Sequence, residues 1–181
     1  MIVVFDVSAD AYGRFMGRYS EPLAVRFADF ARVEAAGSAL DVGCGPGALT
    51  AVLVGRLGDD RVAAADPSPP FVAAAKARFP SVDVRQAPAE ELPFGDGSFD
   101  FVLAQLVVHF MTDPVRGLAE MARVARPGGT VAACVWDYTG RRSPLDLDQR
   151  AQPRSRIAVL RHPSTVGTDR RSAGADRGRC G

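Results

Sequence analysis

Strand-like and helix-like segments alternate from the first apolar helix to Trp136, and that alternation predicts an α/β fold with a doubly wound, mostly parallel sheet. Two further observations agree. Glycine occupies alternate positions in Gly43-Cys-Gly-Pro-Gly47, between an apolar strand and an apolar helix. The segment Thr130-Val-Ala-Ala-Cys-Val-Trp136 is nearly continuously apolar, as a strand covered on both faces must be. At 181 residues with 47% hydrophobic content, the chain is sized for one such domain with a real core.

The elements follow in order. Ser20-Glu-Pro-Leu to Val33 puts Pro22 in a first-turn position, with Leu23, Phe27, Phe30 and Ala31 at helical spacing, and predicts an amphipathic helix. Tyr12, Phe15, Met16 and Tyr19 fall ahead of it and read as packing residues. A first strand carries Ala39-Leu-Asp-Val42 into the glycine turn. The helix beyond runs from Ala48 to about Leu57 and stops at Gly58. Arg61 to Ala65 is a second strand, Pro69 to Phe79 a helix bounded by prolines, and Val82 to Gln86 a short alternating strand. Phe99 to Leu106 is a longer, more apolar strand. Asp113 caps a helix with Pro114 in its first turn and Val115, Leu118, Met121 and Ala122 on one face, and Thr130 to Trp136 is the fifth strand. Right-handed crossovers place the ligand crevice at the carboxyl ends of the strands, where their order reverses.

The glycine turn specifies more than a generic nucleotide. No Gly-Lys-Ser or Gly-Lys-Thr follows, so the turn is not a phosphate-cradling loop. Gly43-Cys-Gly45-Pro-Gly-Ala48 fits a loose dinucleotide pattern, but Pro46 removes an amide a pyrophosphate would use, and Asp41 at the strand tip repels phosphate and favours a cation. S-adenosylmethionine, which carries an ammonium and a sulfonium but no phosphate, suits that tip better.

Asp41-Val-Gly-Cys-Gly-Pro-Gly47 resembles the first motif of the class I S-adenosylmethionine-dependent methyltransferases. Three further segments resemble that family in the same order: Arg61-Val-Ala-Ala-Ala-Asp66-Pro67-Ser68, with its acidic residue about 20 positions beyond the glycines; Ala89-Glu-Glu-Leu-Pro-Phe-Gly-Asp-Gly-Ser-Phe-Asp-Phe-Val102; and Arg123-Val-Ala-Arg-Pro-Gly-Gly-Thr130. The resemblance covers about residues 5–136 and implies a Rossmann-like sheet. It also implies roles. Asp41 holds the ligand's ammonium through water or backbone, Gly43, Cys44, Gly45 and Gly47 give close backbone contact, and Asp66 with Pro67 takes the ribose. The family's usual acidic residue beside the adenine is replaced by Pro88, which leaves Ala89 and Glu90 there. Gln105 and Leu106 border the methionine part. His109, the one histidine of this region, is the candidate base for the acceptor's proton, against a plain packing role.

The expected activity is methyl transfer to a small-molecule acceptor. Two alternatives stand beside it: an inactive S-adenosylmethionine-binding remnant or interaction protein with a basic tail, and an NAD(P)-binding Rossmann protein, which lacks support from any Tyr-x-x-x-Lys arrangement.

Charge divides the chain. Residues 1–139 carry 12 basic and 17 acidic side chains, whereas 140–181 carry ten arginines and four aspartates. The organisation expected is a helical cap over 1–38, a binding domain over 39–139 and a disordered basic tail over 140–181, which reads as a truncation near Arg141 continued in a foreign frame. The family's last strands are expected to be missing, which exposes a sheet edge to self-association. The arginines lack interleaved aromatics, which disfavours nucleic acid as the partner. Cys44, Cys134 and Cys180 have no metal-like spacing, and no long apolar run or leader pattern is present, so a cytoplasmic protein without metal or membrane contact is expected.

Overall fold

A computed structural model of the chain describes residues 9–34, 36–136 and 155–161, with backbone alone for 9–16 and 155–161. The order is α1 (Ala9–Phe30), β1 (Ala39–Val42), α2 (Ala48–Leu57), β2 (Val62–Asp66), α3 (Pro69–Arg78), β3 (Asp83–Gln86), β4 (Phe99–Gln105), α4 (Pro114–Val124), β5 (Ala125–Trp136) and β6 (Ser155–Arg161). The sheet runs β3-β2-β1-β4-β5-β6, parallel through β5 and antiparallel at β6. Its order reverses between β1 and β4, and the crevice opens there.

Period-two alternation sorts the strands onto two cores. Ala39, Val62, Ala64 and Leu103 face the core that contains Phe27, Leu49, Leu53 and Val72 from α1, α2 and α3. Leu40, Val42, Ala63, Ala65, Val102 and Ala104 face the other, with Met121 and Val124 of α4. Asp41 shares its face with Ala39, so it points toward α2 and is buried there.

The first helix differs from expectation. It begins at Ala9 and runs through Pro22, so Tyr12, Phe15, Met16 and Tyr19 lie within it rather than ahead of it. An internal proline forfeits one helical hydrogen bond. Burial of Ala24, Phe27 and Ala28 beyond it offsets that loss, and Arg56 of α2 binds α1 through Asp29 and the Val25 carbonyl. In α4, Asp113 accepts from the Arg116 amide as a cap should, but Val115 is 79% exposed rather than part of the apolar face. The strand of the Arg123-to-Thr130 segment starts directly after α4: Ala125 pairs with Phe99, and the ladder resumes at Thr130 opposite Phe101.

The sheet edge expected at β5 is covered. β6 pairs with it over Thr130 to Trp136, so at Ser155–Arg161 the tail carries a strand where disorder was expected. Ile157 to Leu160 supply strand-forming residues, and the open amides of β5 supply the partner. The rest of 137–181, including Cys180, and residues 1–8 lie outside the described residues. No described helix is long and apolar enough to cross a membrane.

Candidate functional site

Three strand ends and the segments that follow them build the site. After β1, the turn is bonded almost entirely by backbone: the amides of Gly43 and Cys44 both donate to the Ala65 carbonyl, at 2.7 and 3.1 Å, and Gly47 donates to the Cys44 carbonyl at 2.9 Å. Gly43, Gly45 and Gly47 all have positive φ, at 70°, 52° and 91°. They differ in surroundings. A Cβ on Gly43 would lie 2.4 Å from Val107, and one on Gly47 would lie 2.5 Å from the Phe79 ring, so the protein's own side chains demand those two glycines. A Cβ on Gly45 would meet nothing within 4 Å. Among the described residues, the space over Gly45 is open.

Asp66 ends β2 and is buried, with both carboxylate oxygens occupied. Its Oδ2 accepts from the Gly45 amide and its Oδ1 from the Ser68 amide, each at 2.8 Å. It therefore ties the glycine turn to the start of α3, where Ser68 is the cap residue, and each oxygen retains a second lone pair. Burial raises its carboxyl above the usual range, against the two amide bonds. Pro67 is exposed and its carbonyl accepts from Gln86.

Asp41 is deeper. Its Oδ2 accepts from the Thr50 hydroxyl of α2 at 2.6 Å, while its Oδ1 is buried with no partner among the described residues. Desolvation, with Asp66 nearby, pushes its carboxyl up to about 7 despite the Thr50 bond. The same burial raises the Cys44 thiol and lifts Cys134 to about 12, so neither is a ready nucleophile.

Gln105 closes β4, donating from Nε2 to the Ser20 carbonyl of α1 at 2.9 Å, and its Oε1 is buried without a partner. Leu106 then takes φ +60°, held by its amide's 2.8 Å bond to the Cys134 carbonyl. A leucine in that region is strained, and such outliers concentrate at sites. His109 follows on a 3₁₀ turn, exposed, with its ring 4.0 Å from that of Phe110, and partial burial lowers its pKa.

The loop after β3 is held differently. Ala87 donates to the Asp66 carbonyl, and Ala89 is buried. Glu90 uses Oε1 to accept from the Asp113 amide, so half of its carboxylate serves the start of α4. Arg123 reaches from α4 to the carbonyls of Leu92 and Phe94 and to Glu120 and Asp96, while Glu120 accepts from the Leu92 amide. The clasp by Arg123, and the engagement of Thr50 and Gln105, were beyond sequence reasoning. Residue type named the segments without saying which side chains meet.

These features fit a ligand with a cationic amine and a ribose. A buried unpartnered carboxylate oxygen, open space over a bare backbone and a second carboxylate with spare lone pairs stand together at the strand ends. Among the described residues, no group of three or more His, Cys, Asp or Glu side chains is placed to hold a metal ion.

Residues 40–133 match the family described as methyltransferase domain. The chain belongs to this methyltransferase family. An uncharacterised methyltransferase of Mycobacterium tuberculosis is 39% identical over 137 residues, which are 76% of this chain and 53% of that protein. A demethylmenaquinone methyltransferase of Chlorobaculum parvum is 36% identical over 90 residues, 50% of this chain and 37% of that enzyme. Among solved structures, one from Thermotoga maritima described as an S-adenosylmethionine-dependent methyltransferase, possible histamine N-methyltransferase, is 29% identical with a TM-score of 0.52, covering 73% of this chain and 65% of that one. The chain spans about half the length of these curated relatives. The Rossmann-like fold expected from the motifs is the fold observed, and the family's cofactor is S-adenosylmethionine.

Proposed function

We propose that this chain is a cytoplasmic methyltransferase that uses S-adenosylmethionine to methylate a small molecule. The observation that carries the reading is the pairing of open space over Gly45 with Asp66 bonded to that residue's amide: the backbone is bare where a ligand must approach, and a carboxylate stands beside it. The small-molecule acceptor rests on the similarity to the demethylmenaquinone enzyme and to the possible histamine methyltransferase.

Each residue then has a task. Asp66 and Pro67 hold the ribose, the backbone of Gly43, Cys44, Gly45 and Gly47 lies against the ligand, and Asp41 faces the ammonium. Ala89 and the free oxygen of Glu90 border the adenine, and Gln105 and Leu106 border the methionine end. S-adenosylmethionine supplies an already activated methyl group, so the protein's contribution is chiefly alignment and removal of a proton. His109, with its pKa held below the ordinary value, keeps a lone pair at neutral pH to take that proton.

Calorimetry tests the reading. The full chain should bind S-adenosylhomocysteine, Asp66→Ala should lose that binding, and NADH should give no heat. Binding of NADH in place of S-adenosylhomocysteine would overturn it. A panel of quinols, phenols and small amines, assayed for methylated product, then identifies the acceptor class.

A further inference from the structure

We propose that Thr50 is a positioning residue: by holding one oxygen of Asp41 it leaves the other as a single, oriented acceptor for the ligand's ammonium, and the burial of that carboxyl makes cofactor affinity depend on pH. The inference rests on the proposed S-adenosylmethionine site and extends it to a residue of α2 that no motif singled out.

The geometry carries it. Strand alternation sends Asp41 toward α2, where Thr50 lies one turn into the helix that follows the glycines. A carboxylate can rotate about its last bond, and a 2.6 Å hydroxyl contact on Oδ2 stops that rotation. Oδ1 is then fixed, buried and unpartnered. An unmatched carboxylate oxygen in the interior is costly, and a cationic donor is the partner that removes the cost.

The pH dependence follows from what surrounds Asp41. The groups that act on it are the Asp66 carboxylate at the end of β2, which repels its charge, and Thr50, which favours the charged form through both hydroxyl and amide. The thiols of Cys44 in the turn and Cys134 on β5 also feel Asp41 and are un-ionised. Its in-register neighbours, Ala64 of β2 and Leu103 of β4, are apolar. Burial dominates and pushes the carboxyl up to about 7, so near neutrality a large share of Asp41 is protonated and unable to pair with an ammonium. Ligand binding must therefore release a proton in that range. Affinity tightens as pH rises.

Titration calorimetry on the full chain tests this with two probes. S-adenosylhomocysteine carries the ammonium, and 5′-methylthioadenosine shares its nucleoside but lacks it. The dissociation constant of the first should fall about tenfold from pH 6 to pH 8, as the competent fraction of Asp41 grows, while the second should hold constant. The wild-type protein should also release a proton on binding the first probe near pH 7, read from the dependence of the heat on buffer ionisation, which requires no variant. Thr50→Val should shift the pH midpoint upward and weaken only the first probe at pH 7, Thr50→Ser should restore it, and Asp41→Asn should flatten the profile. Equal pH dependence for both probes, or no proton release by the wild type, would overturn the proposal while leaving the site itself intact. Failure of both probes to bind would instead strike the cofactor site.

Discussion

At the turn after β1, nearly every hold is internal to the backbone or to a buried carboxylate: Ala65 takes two amides, and Asp66 takes those of Gly45 and Ser68. At the loop after β3, the holds are long side chains from elsewhere. Arg123 spans two carbonyls and two carboxylates, and Arg85 stacks 4.5 Å above the Phe94 ring while bonding the Pro93 carbonyl. The first region leaves a buried carboxylate oxygen unmatched, at Asp41, and among the described residues no side chain of the second does so. The contrast separates a turn set rigidly by buried groups from a loop whose surface ion pairs tolerate adjustment. In the proposed reading, the region that is costly in the free protein is the one that meets the cation.

Four measurements can break or sharpen that contrast. The largest effect belongs to Asp41. Its folded carboxyl sits near 7 against an ordinary 3.8, so the unfolded chain releases its proton first, and stability contributed by this group falls as pH rises from about 4 to 7 and is constant above. Subtracting the urea-derived stability curve of Asp41→Asn from that of the wild type should reveal this slope, worth up to about 4 kcal/mol. A flat difference would mean that the turn carries no buried-charge penalty.

Next comes Asp66→Ala. It strips a buried and a part-buried amide of their acceptor and should cost about 3 kcal/mol in a urea melt, besides abolishing S-adenosylhomocysteine binding. Unchanged stability would show that the turn holds itself without the carboxylate. Third, Gly43→Ala meets Val107 and a φ of 70° and should cost about 2 kcal/mol, whereas Gly45→Ala, with no neighbour, should cost about 1 kcal/mol and act chiefly on ligand affinity. Equal losses at the two positions would remove the distinction between packed and ligand-facing glycines. Smallest is Arg123→Ala. With the guanidinium a third exposed, its loss should cost about 1 kcal/mol, diminish in high salt and leave S-adenosylhomocysteine affinity within about threefold. A larger drop in affinity would make the loop as exacting as the turn.

The sequence disclosed this site unevenly, for physical reasons. Asp41, the three glycines and Asp66 were legible because strand-end chemistry is local: a charge at the tip, bare backbone in the turn and a carboxylate one βα unit later. Gln105 and Leu106 were placed by the strand that precedes them, yet the +60° φ of a leucine has no signal in residue type, because the conformation is imposed by the Cys134 carbonyl from another strand. Glu90 was read toward the ligand, and its bond to Asp113 depends on how α4 docks. The start of α1 was misplaced because Pro22 is a sound first-turn residue by local rules, and tertiary burial overrode them. β6 was missed because four apolar residues among arginines cannot bury themselves, and only the waiting edge of β5 makes them a strand.

That strand also sets an order of assembly. Helices α2, α3 and α4 join β1 to β2, β2 to β3 and β4 to β5, and each shortens the search for a neighbouring parallel strand. β6 has a neighbour on one side alone, at the outer edge of the sheet, whereas β1 and β4 are paired on both sides. The antiparallel seam should close last and open first. Pulse-labelled hydrogen exchange reads that sequence of events directly, with amides of β6 gaining protection after those of β1 and β4. A kinetic seam of this kind gives the sheet a reversible outer margin, against which the permanent parallel interior can form undisturbed.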